Sequence, residues 1–200
     1  MVRPDSKKLK FYVLGTAMNR IHRTVAAALA ISIPCYAVSA FAASVSVPVN
    51  LVDASGVGKS IGTVKLSDSK KGLVLSPNLK GLPAGTHGFH VHQNPDCGPG
   101  DKDGKPAAAM KAGGHLDPDK TGKHEGPGGK GHLGDLPALT VAKDGAAKKS
   151  VVAPRLTVAE VLGHALMIHA GGDNYSDTPE PLGGGGARIA CGVIPAKAGK

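Results

Sequence analysis

From residue 44 onward, apolar and polar side chains alternate in short bursts instead of recurring at helical spacing. Val45, Val47, Val49 and Leu51 interleave with Ser44, Ser46, Pro48 and Asn50. This period of two puts one face of a strand in a core and the other in water. Similar short runs occur at 60–66, 72–75, 88–93, 139–142, 150–152, 165–170 and 188–193, and Lys143-Asp144-Gly145 marks a turn between two of them. The pattern predicts an all-β domain of eight short antiparallel strands, a sandwich or barrel with Greek-key connections.

The segment 94–131 interrupts this pattern. Between Gly98 and Gly131 its only large apolar residues are Met110 and Leu116, so by this reading it cannot bury a core of its own. A stretch of this length without regular structure signals disorder or function. It starts beside Cys97, contains His115 and His124, and leads into His132 and Asp135. A bound metal and a disulfide would stand in for the missing core, which couples the order of the loop to metal binding. A second glycine-rich loop, 171–187, is expected to form the other wall of a site.

The first 42 residues do not read as fold. Met18-Asn-Arg-Ile-His-Arg23 is basic, an apolar run follows to Ile33, and Ala40-Phe41-Ala42 supplies the small residues of a signal-peptidase site. The run is too short for a membrane span and Pro34 interrupts it. The chain therefore reads as a leader over 1–42, with Met18 as an alternative start, and a single domain over 43–200. Pro34 ahead of Cys35 does not fit a lipoprotein site, so no membrane attachment is expected once the leader is removed. The mature part keeps Cys97 and Cys191, an even pair in an exported chain, which reads as one disulfide. The net charge of +9 falls to +4 without the leader, since 18 basic and 14 acidic residues remain. With few aromatics and no basic cluster, nothing points to nucleic-acid binding.

The candidate chemistry lies in His90, His92, His115, His124, His132, Asp135 and His169. In a strand, His90 and His92 share a face roughly 7 Å apart. Imidazole nitrogen suits copper and zinc, and a carboxylate oxygen suits zinc as a fourth ligand. Any one of these histidines alone would read as a core residue held by hydrogen bonds. Seven such residues on these spacings can build two adjacent metal sites. His87 and His164 have the opposite strand parity to their neighbours and are expected to face away, His87 as a structural hydrogen-bonder.

The motifs His87-Gly-Phe-His-Val-His92, Gly113-Gly-His-Leu-Asp-Pro118, Thr121-Gly-Lys-His-Glu-Gly-Pro127 and Gly131-His-Leu-Gly-Asp-Leu-Pro137 resemble the copper/zinc superoxide dismutases of bacterial periplasmic type. The stretches 163–177 and 181–194 extend the resemblance through nearly all of the chain after residue 44. It implies one copper per subunit on His90, His92, His115 and His169. It implies one zinc per subunit on His115, His124, His132 and Asp135, with His115 bridging. It further implies that Asp173 accepts hydrogen bonds from His90 and His124, and that Arg188 flanks the copper and attracts the anion. Together with His115, Arg188 would carry the catalysis, the dismutation of superoxide to dioxygen and hydrogen peroxide in the periplasm. The family includes monomers and homodimers. A non-catalytic relative that stores or delivers metal is the other reading, but such a descendant need not keep His115, Asp173 and Arg188 together, and all three are present.

Overall fold

A computed structural model describes residues 44–198. The leader and Cys35 lie outside the described residues. The first three strands are β1 (Ser44–Asp53), β2 (Gly56–Ser69) and β3 (Gly72–Lys80). They form an antiparallel meander whose inward positions follow the alternation in sequence. Val45, Val47 and Val49 are buried, but the parity then changes and Val52 is buried while Leu51 is only partly so. Register shifts between Val49 and Asn50 and between Asn50 and Val52 mark bulges there, and an inserted residue moves the next side chain to the other face. The meander can pack this closely because Gly62, at φ +127°, lies against β3. A Cβ there would sit 2.1 Å from the Asn78 carbonyl oxygen.

The remaining elements are β4 (Gly85–His87), β5 (Phe89–His92), β6 (Gly100–Lys102), β7 (Lys105–Ala107), β8 (Leu139–Val141), β9 (Ala146–Ala147), β10 (Val151–Ala153), the one-turn helix α1 (Val158–Val161), β11 (Ala165–His169) and β12 (Arg188–Val193). The main sheet runs β10–β3–β2–β1–β12–β11–β5, with β9 also on β3, and curls into a half-barrel. Strand β8 pairs with β4, immediately before β5 in the chain. Phe89, Val91, Leu66, Leu75, Leu136, Leu139 and Ile168 lie in one buried cluster inside the curve.

Two features differ from the sequence reading. The segment 94–131 is not structureless: β6 and β7 form a hairpin around Asp103 and Gly104, both at positive φ, and a 3₁₀ turn follows at Met110–Ala112. Asp-Gly is a hairpin signal that the scarcity of large apolar residues hid. The segment also contributes to a core. Cys97, Ala109 and Ala112 are buried with Val52, Ala165, Met167 and Cys191 in a second cluster, so alanines supply what bulky side chains do not. The Cys97–Cys191 disulfide, with Cα atoms 5.8 Å apart, fastens this cluster to β12.

Candidate metal centre

Strand β5 is buried on both faces. Phe89 and Val91 enter the core, which leaves His90 and His92 together on the opposite face under the loops. The β5 backbone also places the loop ligands. The Val91 N–H donates to the Gly134 carbonyl at 2.9 Å, and the Val91 carbonyl accepts from Leu116 N–H at 2.8 Å. These contacts set Asp135 opposite His90 and His115 opposite His92 as isolated bridges. Only glycine fits at 134, where a Cβ would meet the Val91 carbonyl oxygen at 2.3 Å. His169 ends β11, and in the ladder it pairs with Arg188, the first residue of β12.

The six imidazoles converge. His90 and His115 stack with centroids 4.0 Å apart, and the His115 ring lies 5.1–5.3 Å from those of His92, His124 and His132. Outward-facing nitrogens are held from behind. His90 Nε2 and His124 Nε2 each donate to a different oxygen of Asp173 at 2.8 Å, His92 Nδ1 to the Gly113 carbonyl at 2.9 Å, and His169 Nδ1 to the Gly186 carbonyl at 3.3 Å. Gly183, at φ +72°, closes over the Asp173–His124 bond; a Cβ would lie 2.1 Å from Asp173 Oδ1.

The inward-facing nitrogens have no hydrogen-bond partner: His90 Nδ1, His92 Nε2, His115 Nε2, His124 Nδ1, His132 Nδ1 and His169 Nε2. Orphaned buried polar atoms are rare and costly, and six in one place indicate a missing partner that accepts nitrogen lone pairs. The ligating atoms of His90, His92, His115 and His169 all lie within 4.8 Å of one another. On the other side, Asp135 Oδ1 lies 3.0, 3.0 and 3.5 Å from Nδ1 of His115, His124 and His132. A tetrahedral zinc site with bonds of about 2.0 Å has ligand–ligand edges of about 3.3 Å, which these separations match. Compactness alone groups His90, rather than His132, with His115, His124 and Asp135. The direction of the free nitrogens argues against that set, since the one free atom of His90 belongs to the first group.

Electrostatics set His124 apart from the other histidines of the cluster whose titration is shifted. Burial pushes His169 down to about 3 and His115 down to about 4, and holds His90 and His92 below their usual range, Arg188 adding to the effect at His92. These rings are neutral, as ligands must be. His124 goes the other way: burial opposes its charge, but the hydrogen bonds and charges of Asp135 and Asp173 outweigh burial and raise it to about 9. Burial acts against both carboxylates too, yet their histidine partners hold them far below the usual range.

The parity reading of the other two histidines agrees with their positions. His87 lies 2.8 Å from the His169 carbonyl and 2.9 Å from the Pro83 carbonyl, and His164 lies 2.6 Å from the Gln93 carbonyl. Arg188 lines a cavity of about 320 Å³ together with His92, His115 and His169. It is braced by hydrogen bonds to the carbonyls of Ala109, 2.6 Å, and Gly113, 2.7 Å. Two residues escaped the sequence reading. Asp177 accepts the backbone N–H of His124 at 2.8 Å, and the Tyr175 hydroxyl accepts from Ala138 N–H at 3.0 Å. Neither stands in a spacing that marks it out from other loop polar residues.

A curled antiparallel sheet with a buried cluster of six imidazoles around one carboxylate defines a metalloprotein with two adjacent ion sites. A family profile described as copper/zinc superoxide dismutase matches residues 60–194. A superoxide dismutase [Cu-Zn] of Escherichia coli (strain K12) is 59% identical over 167 residues, covering 83% of this chain and 96% of the relative. Among solved structures, the Cu/Zn superoxide dismutase from Brucella abortus aligns with a TM-score of 0.74 at 54% identity, over 76% of this chain and 99% of that one. The monomeric copper, zinc superoxide dismutase from Salmonella enterica aligns with a TM-score of 0.69 at 61% identity, over the same shares. The chain belongs to the copper/zinc superoxide dismutase family, oxidoreductases whose metals are copper and zinc.

Proposed function

We propose that this chain dismutates superoxide in the periplasm, converting two superoxide anions and two protons into dioxygen and hydrogen peroxide. We assign copper to His90 Nδ1, His92 Nε2, His115 Nε2 and His169 Nε2, and zinc to Nδ1 of His115, His124 and His132 with Asp135 Oδ1. The observation that carries this reading is the set of six unpartnered nitrogens, together with the position of His115, whose two nitrogens face the two groups. Copper supplies the one-electron acceptance and return that the two halves of the reaction need. Zinc held by these four protein ligands would serve structure and electrostatics.

The chain's own residues supply the rest. His92, His115 and His169 form the wall of the cavity that the anion reaches. Arg188 sits in that wall and gives a small anion with few other handles a positive charge to approach. His115 Nε2 lies in a ring that lines the cavity; it carries no proton while it holds copper, and only when free of that ion could it take one from solvent and pass it to the departing peroxide. Asp173 fixes the orientation of His90 and His124 from behind, the usual task of a carboxylate behind a metal-bound imidazole. The basic and apolar start of the sequence, ending at Ala40-Phe41-Ala42, supports export. No described helix is long and apolar enough to cross a membrane. A single subunit contributes all the assigned ligands, so the site is complete within one chain in a monomer and in a homodimer alike. The decisive test is superoxide consumption by the leaderless protein loaded with both metals. A protein that binds both ions in these stoichiometries without consuming superoxide would be a metal carrier instead.

A further inference from the structure

The described residues include two arginines, and each ties the 94–131 loop to the body of the fold, Arg188 of β12 at the middle of the loop and Arg155, between β10 and α1, at its exit. Arg188 holds the Ala109 and Gly113 carbonyls on the copper side. Arg155 does the same on the far side: its guanidinium donates to the Gly131 carbonyl at 2.9 Å and to the His132 carbonyl at 3.4 Å. The base from which it reaches is fixed. Leu156, Val158 and Val161 are buried, and Val158 N–H donates to Asp68 Oδ1 on β2 at 2.7 Å. The ion pairs among the described residues all join histidine to aspartate, so no carboxylate competes for this guanidinium.

His132 is the ligand that most needs such support. It is the most exposed of the six at 8%, and its Nδ1 stands farthest from Asp135 Oδ1, 3.5 Å against 3.0 Å for His115 and His124. Among the described residues its ring makes no hydrogen bond, whereas the rings of His90, His92, His124 and His169 are each held from behind by a carboxylate or a carbonyl, and His115 turns one nitrogen to each ion site. Its orientation therefore depends on its backbone, which is held by Arg155 on the carbonyl and by a 2.8 Å bond from its N–H to the Lys123 carbonyl. We propose that Arg155 is a positioning residue for the zinc side, clamping the Gly131–His132 backbone so that His132 Nδ1 faces the ion. The proposal rests on the reading of His132 as a zinc ligand.

The test is zinc affinity, measured on the exported protein by competition with a chromophoric chelator, beside copper affinity and the denaturant midpoint of the metal-free protein. Arg155→Ala is expected to weaken zinc about 10–100-fold, the usual cost of losing an outer partner of a ligand, with copper affinity and the metal-free midpoint unchanged. Arg155→Lys should recover only part, because one ammonium lacks the planar fork that spans two carbonyls. His132→Ala should itself weaken zinc, and adding Arg155→Ala to it should cost nothing more, since two residues acting through one contact are not additive. Unchanged zinc affinity in Arg155→Ala, a further loss in the double variant, or a matching fall in the metal-free midpoint overturns the proposal alone. Full zinc affinity in His132→Ala overturns the ligand assignment and the proposal with it.

Discussion

The two halves of the metal centre are built from different material. Of the four residues assigned to copper, three come from the main sheet: His90 and His92 on β5, and His169 at the end of β11. Their backbones are fixed by ladder hydrogen bonds, β5 to β11 and β11 to β12. Of the zinc set, His115, His124, His132 and Asp135 all lie on the long loop or its exit, which shares an alanine-rich cluster with β1, β11 and β12. The copper half is therefore imposed by the fold, whereas the zinc half has to be assembled by clamps and by the ion itself. Asp173 joins them, with one carboxylate oxygen on a histidine of each half.

The largest effect should come from the one residue both halves share. His115→Ala is expected to lose zinc and copper together and to lower activity by more than about 100-fold, beyond what an outer-sphere contact costs. His169→Ala should lose chiefly copper and His132→Ala chiefly zinc. Metal analysis of the three purified variants decides it. Equal loss of both metals in all three would erase the distinction between the halves.

Acid should act on the metal-free protein through the copper half. A histidine held below its ordinary 6.5 binds a proton when unfolded but not when folded, so stability falls as the pH drops through that window. His115, displaced to about 4, represents roughly 3 kcal/mol of such stability, and His169, at about 3, acts in the same direction. His124 has the opposite sign: its stabilisation is complete below 6.5 and is lost as the pH rises through about 9. Urea unfolding of metal-free, disulfide-intact protein should therefore show a maximum near pH 6.5–7 and a steep decline towards pH 4. A flat profile between pH 4 and 6.5 would contradict the burial of these rings as neutral groups.

Removing the Cys97–Cys191 link should cost about 2–4 kcal/mol and fall on the loop half. Amide exchange should quicken over 94–131 while β1, β2 and β3 keep their protection. If the strands loosen as much as the loop, the division of labour drawn above is wrong.

How far the sequence foretold each half follows from the same contrast. Strands β1, β2 and β3 were legible because a half-buried strand writes its face into every second residue, whereas β5 and β11, buried on both faces, showed as short runs in which His90 and His92, two positions apart, share a direction. The rule failed where a bulge shifted parity, making Val52 rather than Leu51 the buried residue. In the loop, residue type and spacing marked His115, His124, His132 and Asp135 as candidate ligands, but their assignment to one ion or the other came only from motif resemblance, since they stand in no repeating pattern. What held them was hidden. The Asp103-Gly104 turn was passed over because its flanks lack apolar residues, and alanines that pack as a core look like filler. Arg155 reaches two carbonyls 23 and 24 residues earlier, and Asp177 reaches an amide 53 residues away. Such contacts join side chains to backbone across the fold and leave no local trace.

The smallest effect expected is at Arg188, which belongs to the copper wall but holds a loop carbonyl with each arm. Superoxide is a small anion, and its dismutases are a standing example of enzymes near the diffusion ceiling whose substrate is drawn in electrostatically. Arg188→Ala should lower the rate about 10-fold, the modest end of what steering supplies, with copper and zinc contents unchanged. Arg188→Lys should do less harm, since a point charge still attracts an anion although it cannot span Ala109 and Gly113. Raising ionic strength should slow the unsubstituted enzyme, because a Debye length of roughly 8 Å at physiological salt screens charges acting at a distance. The alanine variant should respond to salt less. Retained metals with an unaltered rate and salt response would reduce Arg188 to a brace for the loop. A rate loss accompanied by copper loss would instead assign its effect to the Gly113 carbonyl, which it shares with His92 Nδ1.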